Sequence, residues 1–512
     1  MKISATFVLL AVASFSLAQD IDIQGGGKGG SHGNPISKRP LVVSQTLQNS
    51  IKSSNLLEHA RQFVKFSKLS NGTRVFGSEG HNATVKYIKS QLDKTGYYDT
   101  EFQTFPYLFS QGTATFSANG TAYDSAWFTY GPAGDVTAPL VVVDNLGCTL
   151  ADFPASVVGK IALVKRGECT FGLKTALSGA SGAAGVIIYN NADGAVGAGT
   201  LGDIVNPAGP YVPGASVNGI DGNKLVATIN AGSEVVGTIH VDAVTEERYS
   251  SNVIATTKIG DRNNIVVAGG HSDSVVAGPG INDDGSGTMG ILEVALKLTQ
   301  FKTNNAVRFA FWTAEEFGLV GSEYYVQNLP EAERQKIALY LNFDMIASPN
   351  IAYLIYDGDG SAFNISGPAG SDKIEKLFED FYSKNKVRSA PTEFSGRSDY
   401  GPFLDVGIPA GGIFSGAEGL KTAEQAKWWG GEAGVAYDVC YHKACDGIAN
   451  LNVPAWVLNT KAAAHSIATY ARSVSGIPRT RTTTTSSELR VSQLSYDDRR
   501  HMACGHESVV SI

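Results

Sequence analysis

The chain has 512 residues, of which 43% are hydrophobic and 17% charged, and its formal net charge is −7 at pH 7. That length accommodates a large core plus a second domain, since domains run ~100–200 residues. The acidic balance excludes a nucleic-acid partner, which would require a basic surface.

The chain opens with Met1-Lys2, an apolar run Phe7–Ala13 and then Ser16-Leu17-Ala18, the small-x-small pattern of a signal-peptidase site. We expect residues 1–18 to be a signal peptide and the protein to be secreted, with the vacuole lumen as the alternative. The run is too short to span a bilayer, which needs about 20 residues, and no later segment qualifies, so no membrane partner is expected. Four sequons, at Asn71, Asn82, Asn119 and Asn364, would be glycosylated on the secretory route. Residues 19–39, with Gly25-Gly-Gly-Lys-Gly-Gly30, lack an apolar period and read as disordered or as a propeptide. Lys38-Arg39 is a dibasic processing candidate, which the following Pro40 disfavours. Of five cysteines, the short-range pairs Cys148 with Cys169 and Cys440 with Cys445 fit disulfides in an oxidising compartment, and Cys504 is left over. The rival reading, zinc on thiols, lacks any paired C-x-x-C.

Next come two helical patterns, Leu56 to Val64 and Ala83 to Leu92. Short β-like runs follow: Leu140–Val143, Lys160–Val164, Gly185–Tyr189 and Val235–His240, punctuated by Gly, Pro and Asn. From residue 250 strands alternate with helices. Asn264–Gly270, Val307–Trp312 and Leu339–Phe343 read as buried strands, and Ser286–Leu298 as a helix with Met289, Leu292 and Leu296 inward. Such alternation predicts an α/β fold, a mixed open sheet flanked by helices.

His271 and Asp273, then Glu315 and Glu316, then Asp344 each fall just past a strand's carboxyl end, where open α/β sheets place their sites. Singly, each has a bland reading: a lone His is more often structural, paired acids more often a solvated loop, and an Asp after a strand most often a helix cap. Four acids and a His recurring where apolar strands end are harder to dismiss, because burying such charge without a cation is costly. Together with Asp283 they read as a two-metal hydrolase site, which needs a bridging carboxylate, a divided ligand set and a free carboxylate as general base.

Longer stretches carry a resemblance. Gly159–Phe171, Gly182–Asn191 and Val212–Ser216 resemble the protease-associated (PA) domain, a β-rich insert, and residues 130–240 are assigned to it. The alternative is a small β domain whose only role is packing. His271-Ser-Asp273, Gly278–Gly287, Phe311–Leu319, Asn342–Ile346, Gly396–Pro402 and Cys440–Asp446 resemble the M28 family of zinc aminopeptidases, in particular its fungal vacuolar and secreted members. On that resemblance 40–129 and 241–472 form the catalytic domain, with the zinc-dependent exopeptidase fold; 473–512, with Thr482-Thr-Thr-Thr-Ser-Ser487, reads from its composition as a disordered tail.

The resemblance implies two Zn2+ per chain, with Asp283 bridging, His271 and Asp344 on one ion, and Glu316 and His442 on the other. It implies Glu315 as general base, Asp273 behind His271, Tyr441 donating to the oxyanion, and Arg397 in a loop that positions the substrate's amino end. It also implies a cis peptide bond at Asp283-Asp284. The expected substrates are peptides with a free N-terminus, preferably a hydrophobic one such as leucine, and a monomer is expected. Two other classes stay open: a non-catalytic peptide-binding protein on a peptidase fold, and a single-zinc acyltransferase resembling glutaminyl cyclases.

Overall fold

The computed structural model describes residues 35–197 and 199–479. The signal-peptide segment 1–18, residues 19–34 and the cysteine Cys504 lie outside the described residues, as does most of 473–512.

A mixed sheet organises the peptidase half. Its strand order is 390–392, 354–356, 410–414, 337–343, 261–271, 305–312 and 236–257. Asp261–His271 runs parallel to both Asn305–Trp312 and Ile337–Phe343, and the latter is parallel to Ala410–Phe414. Strand Leu354–Tyr356 and strand Val236–Thr257 add antiparallel pairings. The β-branched run Ile265-Val266-Val267 suits a strand buried on both faces. Val266 and Ala268 enter one core with Phe309, Leu341 and Met289, whereas Ile265 and Val267 enter a second core with Trp312, Tyr340 and Phe403. This alternation is the two-residue period of a strand, and each large apolar side chain so buried contributes ~1.5–3 kcal/mol.

Helices cover both faces. The 264–270, 307–312 and 339–343 runs lie within longer strands, and the helical patterns near 56–64 and 83–92 become Ser53–Ser67 and Glu79–Asp93. Helix Gly285–Leu298 is buried almost all round, with Leu296 and Lys297 its partly exposed positions. The reason is that the alanine-rich helix Val453–Arg472 packs against it, donating from Trp456 Nε1 to the Ser286 carbonyl at 2.8 Å.

Strands Tyr98–Ala118 and Val236–Thr257 form an antiparallel ribbon without a break in register, from Tyr98 opposite Thr257 to Ala118 opposite Gly237. Its far end joins a second sheet through Gly134–Val142, which pairs with Val236–Val241. That sheet continues through 161–165, 185–189, 214–217 and 125–129, with helices Phe171–Ala180 and Gly219–Asn230 and cores of its own. Position 240 therefore falls inside a continuous strand, and Ser125–Thr129, before position 130, belongs to the second sheet.

Both expected disulfides are present, with Cα–Cα distances of 5.8 Å for Cys148–Cys169 and 5.3 Å for Cys440–Cys445. Asn71, Asn119 and Asn364 are exposed, whereas Asn82 is half-buried in a helix and donates to the Gly77 carbonyl. Arg39 is held against the body by a hydrogen bond to the Thr299 carbonyl. Residues 473–479 depart from the expected disordered tail: Ile477 is buried, and Arg479 donates to the carbonyls of Ile337 and Asn263 at 2.8 Å each. Among the described residues no helix is long and apolar enough to cross a membrane.

Candidate metal centre

The carboxyl ends of the three parallel strands and two loops converge on one cluster. His271 ends its strand, Asp273 and Asp283 lie in the following loop, Glu315 and Glu316 open a short 3-10 turn after Trp312, and Asp344 follows Phe343. His442 comes from the distant Cys440–Cys445 loop, whose disulfide closes the chain around Tyr441 and His442. All five sequence-assigned metal ligands are thus brought together, along with Glu315 and Asp273.

Asp283 divides the cluster. Its Oδ1 is 3.2 Å from His271 Nε2, and its Oδ2 is 3.1 Å from His442 Nε2. On the first side, His271 Nε2 lies 3.6 Å from Glu315 Oε2 and 3.7 Å from Asp344 Oδ1. On the second, His442 Nε2 lies 3.1 Å from Glu316 Oε2. Asp273 Oδ1 sits behind His271, 3.5 Å from Nδ1, and also accepts from the Glu315 amide at 3.2 Å. The Asp283-Asp284 peptide bond is cis.

The donor set fits divalent cations. Asp344 Oδ1 and His442 Nε2 are buried with no hydrogen-bond partner, an arrangement that native proteins avoid unless something else binds there. Burial pushes the Glu315 carboxyl well above the usual range and that of Glu316 up to about 7. Burial alone would lower the two imidazoles, yet the surrounding carboxylates outweigh it, raising His271 well above its ordinary value and His442 to about 10. A cluster this short of positive charge matches imidazole and carboxylate ligands awaiting an ion.

Several supports carried no signal in the sequence. Asp284 Oδ1 accepts from Gly287 and Met345 amides at 2.8 and 3.0 Å, and its Oδ2 from the His271 amide at 3.1 Å, tying two strand ends to a helix N-terminus. Asp446 accepts from the amides of Asn282 and Asp283 at 2.9 and 3.1 Å. A relay runs Trp312–Tyr340–Asn342–Ser398 and ends with Ser398 Oγ donating to Asp344 Oδ2 at 2.6 Å, which leaves Oδ1 free to face the cluster. The buried Arg74 guanidinium clamps the 272–280 loop, donating to the carbonyls of Ser272, Pro279 and Gly280. Most of these contacts join residues 54 to 206 positions apart, beyond the reach of any local motif.

The cluster opens onto a cleft of about 280 Å3 whose lining includes the apolar or aromatic side chains of Met345, Leu354, Tyr356, Phe414 and Tyr437. Tyr441 stacks on His442 at 3.8 Å between ring centroids, and its hydroxyl lies 3.3 Å from Arg397 Nη2. Arg397 in turn pairs with Glu418 at 2.6 Å.

Comparison with known proteins agrees with this geometry. The model of peptidase family M28 matches residues 252–467, and that of the PA domain matches 136–225. The chain is 50% identical over 456 residues to the probable leucine aminopeptidase 2 of Aspergillus fumigatus, covering 89% of this chain and 91% of that one. Among solved structures, the aminopeptidase from Aneurinibacillus sp. strain AM-1 superposes with a TM-score of 0.62 at 30% identity, over 84% of this chain and 95% of that one. A zinc aminopeptidase from Bacillus subtilis shares the fold with a TM-score of 0.56 at 24% identity, covering 86% of this chain and 98% of its own. With strand-end carboxylates, a PA insert and this likeness in hand, the chain belongs to peptidase family M28, as a metalloaminopeptidase.

Proposed function

We propose that the protein is a secreted di-zinc aminopeptidase that removes hydrophobic N-terminal residues, leucine among them, from peptides. The observation carrying this reading is the division of the cluster by Asp283, one oxygen toward each histidine at 3.2 and 3.1 Å. His271 and Asp344 would hold one ion and Glu316 and His442 the other, with Asp283 between them. Zinc is favoured because the donors are imidazoles and carboxylates, and because the Bacillus subtilis neighbour is described as a zinc aminopeptidase. Bound there, the ions supply Lewis acidity to the scissile carbonyl and acidify the attacking water.

The chain's own groups account for the remaining steps. Glu315 lines the cleft with Oε2 3.6 Å from His271 Nε2, at the edge of the ligand set, where its carboxylate would accept the water's proton and pass it to the leaving amine. Asp273 orients His271, as partners of metal-bound imidazoles commonly do. Burial holds the Tyr441 hydroxyl well above its ordinary pKa, so it keeps its proton for donation to the developing oxyanion. Arg397 bears the same charge as a substrate's ammonium and cannot attract it; it fixes Glu418 and Tyr441 at the cleft, and the carboxylates receive the amine. The apolar and aromatic lining suits a leucine side chain, in keeping with the name of the Aspergillus relative. Secretion rests on the 1–18 segment and on the two disulfides.

The test compares leucine p-nitroanilide with its N-acetylated form, alongside zinc counted per chain. Cleavage of the free-amine substrate alone, lost on chelation, with about two zinc per chain, is the expected result. One zinc per chain, or cleavage of both substrates, would overturn it.

A further inference from the structure

Asp283 and His442 meet at 3.1 Å although neither is carried on the sheet. Asp283 lies in the loop after strand Asp261–His271, and His442 in the 438–446 segment that the Cys440–Cys445 disulfide closes. His442 has a left-handed φ of 54°, which a residue with a Cβ keeps only where its surroundings over-determine it. Its side chain is also the more open of the two imidazoles, 17% exposed against 1% for His271. Something other than the sheet must hold it opposite Asp283.

Buried hydrogen bonds lock the two loops together. Asp446 grips three consecutive amides: its carbonyl accepts from Ile281 at 3.1 Å, and its carboxylate from Asn282 and Asp283 at 2.9 and 3.1 Å. At the start of the segment, Asp438 accepts from the Cys440 amide at 2.8 Å and from Asn282 Nδ2 at 2.7 Å. The loops press so closely that a Cβ on Gly278 would lie 2.1 Å from the Lys443 carbonyl oxygen. Between the two carboxylates sits Asn450, which ends a short 3-10 turn past the segment. Its Nδ2 donates to Asp438 at 2.9 and 3.0 Å and to Asp446 Oδ1 at 3.0 Å. Asp438, Asp446, Asn282 and Asn450 are all buried, so without that amide two buried carboxyl groups would lose the donor they share.

We propose that Asn450 is a positioning residue for the metal centre: by joining Asp438 to Asp446 it closes the 438–446 segment on the Asp283 loop and so sets the His442 side of the zinc site. The inference rests on the two-ion reading above and deepens it, because the grip on one ion then depends on a residue outside the cleft lining. The Asn450 side chain donates to Asp438 and Asp446 rather than to any of the five ligands. His271 needs no such closure, because it ends a strand paired on both sides. The two halves of the site therefore differ in their support: the sheet holds one, and a latch of three polar side chains holds the other.

The test compares the mature, zinc-loaded enzyme with its Asn450→Ala variant, each equilibrated against chelator buffers that fix free zinc from picomolar to micromolar. Bound zinc per chain and leucine p-nitroanilide hydrolysis are read together. The wild type should hold about two zinc ions per chain. The variant should need about tenfold or more free zinc to keep the second, the usual penalty for removing a support behind a metal ligand. Its kcat should recover as zinc is raised by the same factor, which a general loss of folding would not allow. In a His442→Ala background, Asn450→Ala should leave the affinity for the remaining ion unchanged, because the ligand through which it acts is already gone. Asn450→Ser, which keeps a hydroxyl donor, should show a smaller shift in the same direction, and it decides alone if the alanine variant does not fold. Unchanged zinc affinity, an equal weakening of both ions, or the same penalty with and without His442 would each overturn the proposal. A wild-type count of one zinc would count against the two-ion reading instead, and the shift in that ion's affinity would still test the latch.

Discussion

Buried parallel strands end in polar residues in both halves of this molecule, yet only one of those ends is a reaction centre. In the PA-domain half, strands 161–165 and 185–189 lead into Arg166 and Asn190. Arg166 donates to Asn190 Oδ1 at 3.1 Å, and Asn190 Nδ2 donates to the carbonyls of Gly194 and Ala195 at 3.0 and 2.8 Å. In the peptidase half, a strand end leaves Asp344 Oδ1, and the Cys440–Cys445 loop facing it leaves His442 Nε2, without a hydrogen-bond partner. Polar strand ends alone do not make a site; bonds left unmade in a buried place do.

The contrast breaks or sharpens under substitution. The largest effect belongs to Glu315→Gln, which should lower kcat ~10²–10⁴-fold with zinc content and thermal midpoint retained; retained turnover would remove Glu315 from its assigned role. Arg74→Met should follow, destabilising the protein by about 3–5 kcal/mol in denaturant, because three buried carbonyls of the 272–280 loop lose their donor. Activity should fall with it, since that loop carries Asp273. On the other side, Asn190→Ala should cost ~1–3 kcal/mol and leave hydrolysis of leucine p-nitroanilide untouched below the unfolding temperature; an altered KM would mean that the PA-domain strand ends take part in substrate selection.

The smallest effect is a pH slope. His81 is buried between Ser272 and Ser250, its ring nitrogens 2.9 and 3.2 Å from their hydroxyls, and burial pushes its pKa down from 6.5 to about 4. The unfolded chain takes up this proton first, so the stability contributed by neutral His81 is complete above pH 6.5 and is lost as pH falls toward 4, by up to ~1.4 kcal/mol per pH unit. His81→Gln should flatten the fall of the thermal midpoint across that window; an unchanged slope would assign the acid sensitivity to the carboxylates alone.

Much of the peptidase sheet was legible because its strands are short, apolar and β-branched, and because their ends carry acids that such strands should not bury. The ribbon strand Tyr98–Ala118 was not legible. It contains Pro106 in its one apolar run, its buried positions are scattered among exposed and half-buried ones without a strict two-residue period, and its extension comes from pairing with residues over a hundred positions away. Asp284, Asp446 and Arg74 escaped for a related reason: an Asp beside an Asp, an Asp after a Cys and a lone Arg become supports only once distant amides and carbonyls arrive beside them. The tail was misread at 473–479 because its anchor, Arg479, bonds backbone carbonyls, which no side-chain pattern announces.

That ribbon has a mechanical meaning. Its 21 residues extend roughly 70 Å at ~3.4 Å per residue, with the peptidase sheet on one end and the second sheet on the other. A hinge needs a few residues free to change their dihedral angles, and a ladder paired at every position offers none. The ribbon is a strut rather than a hinge: it ties the second sheet to the strand that borders the peptidase sheet through one unbroken ladder.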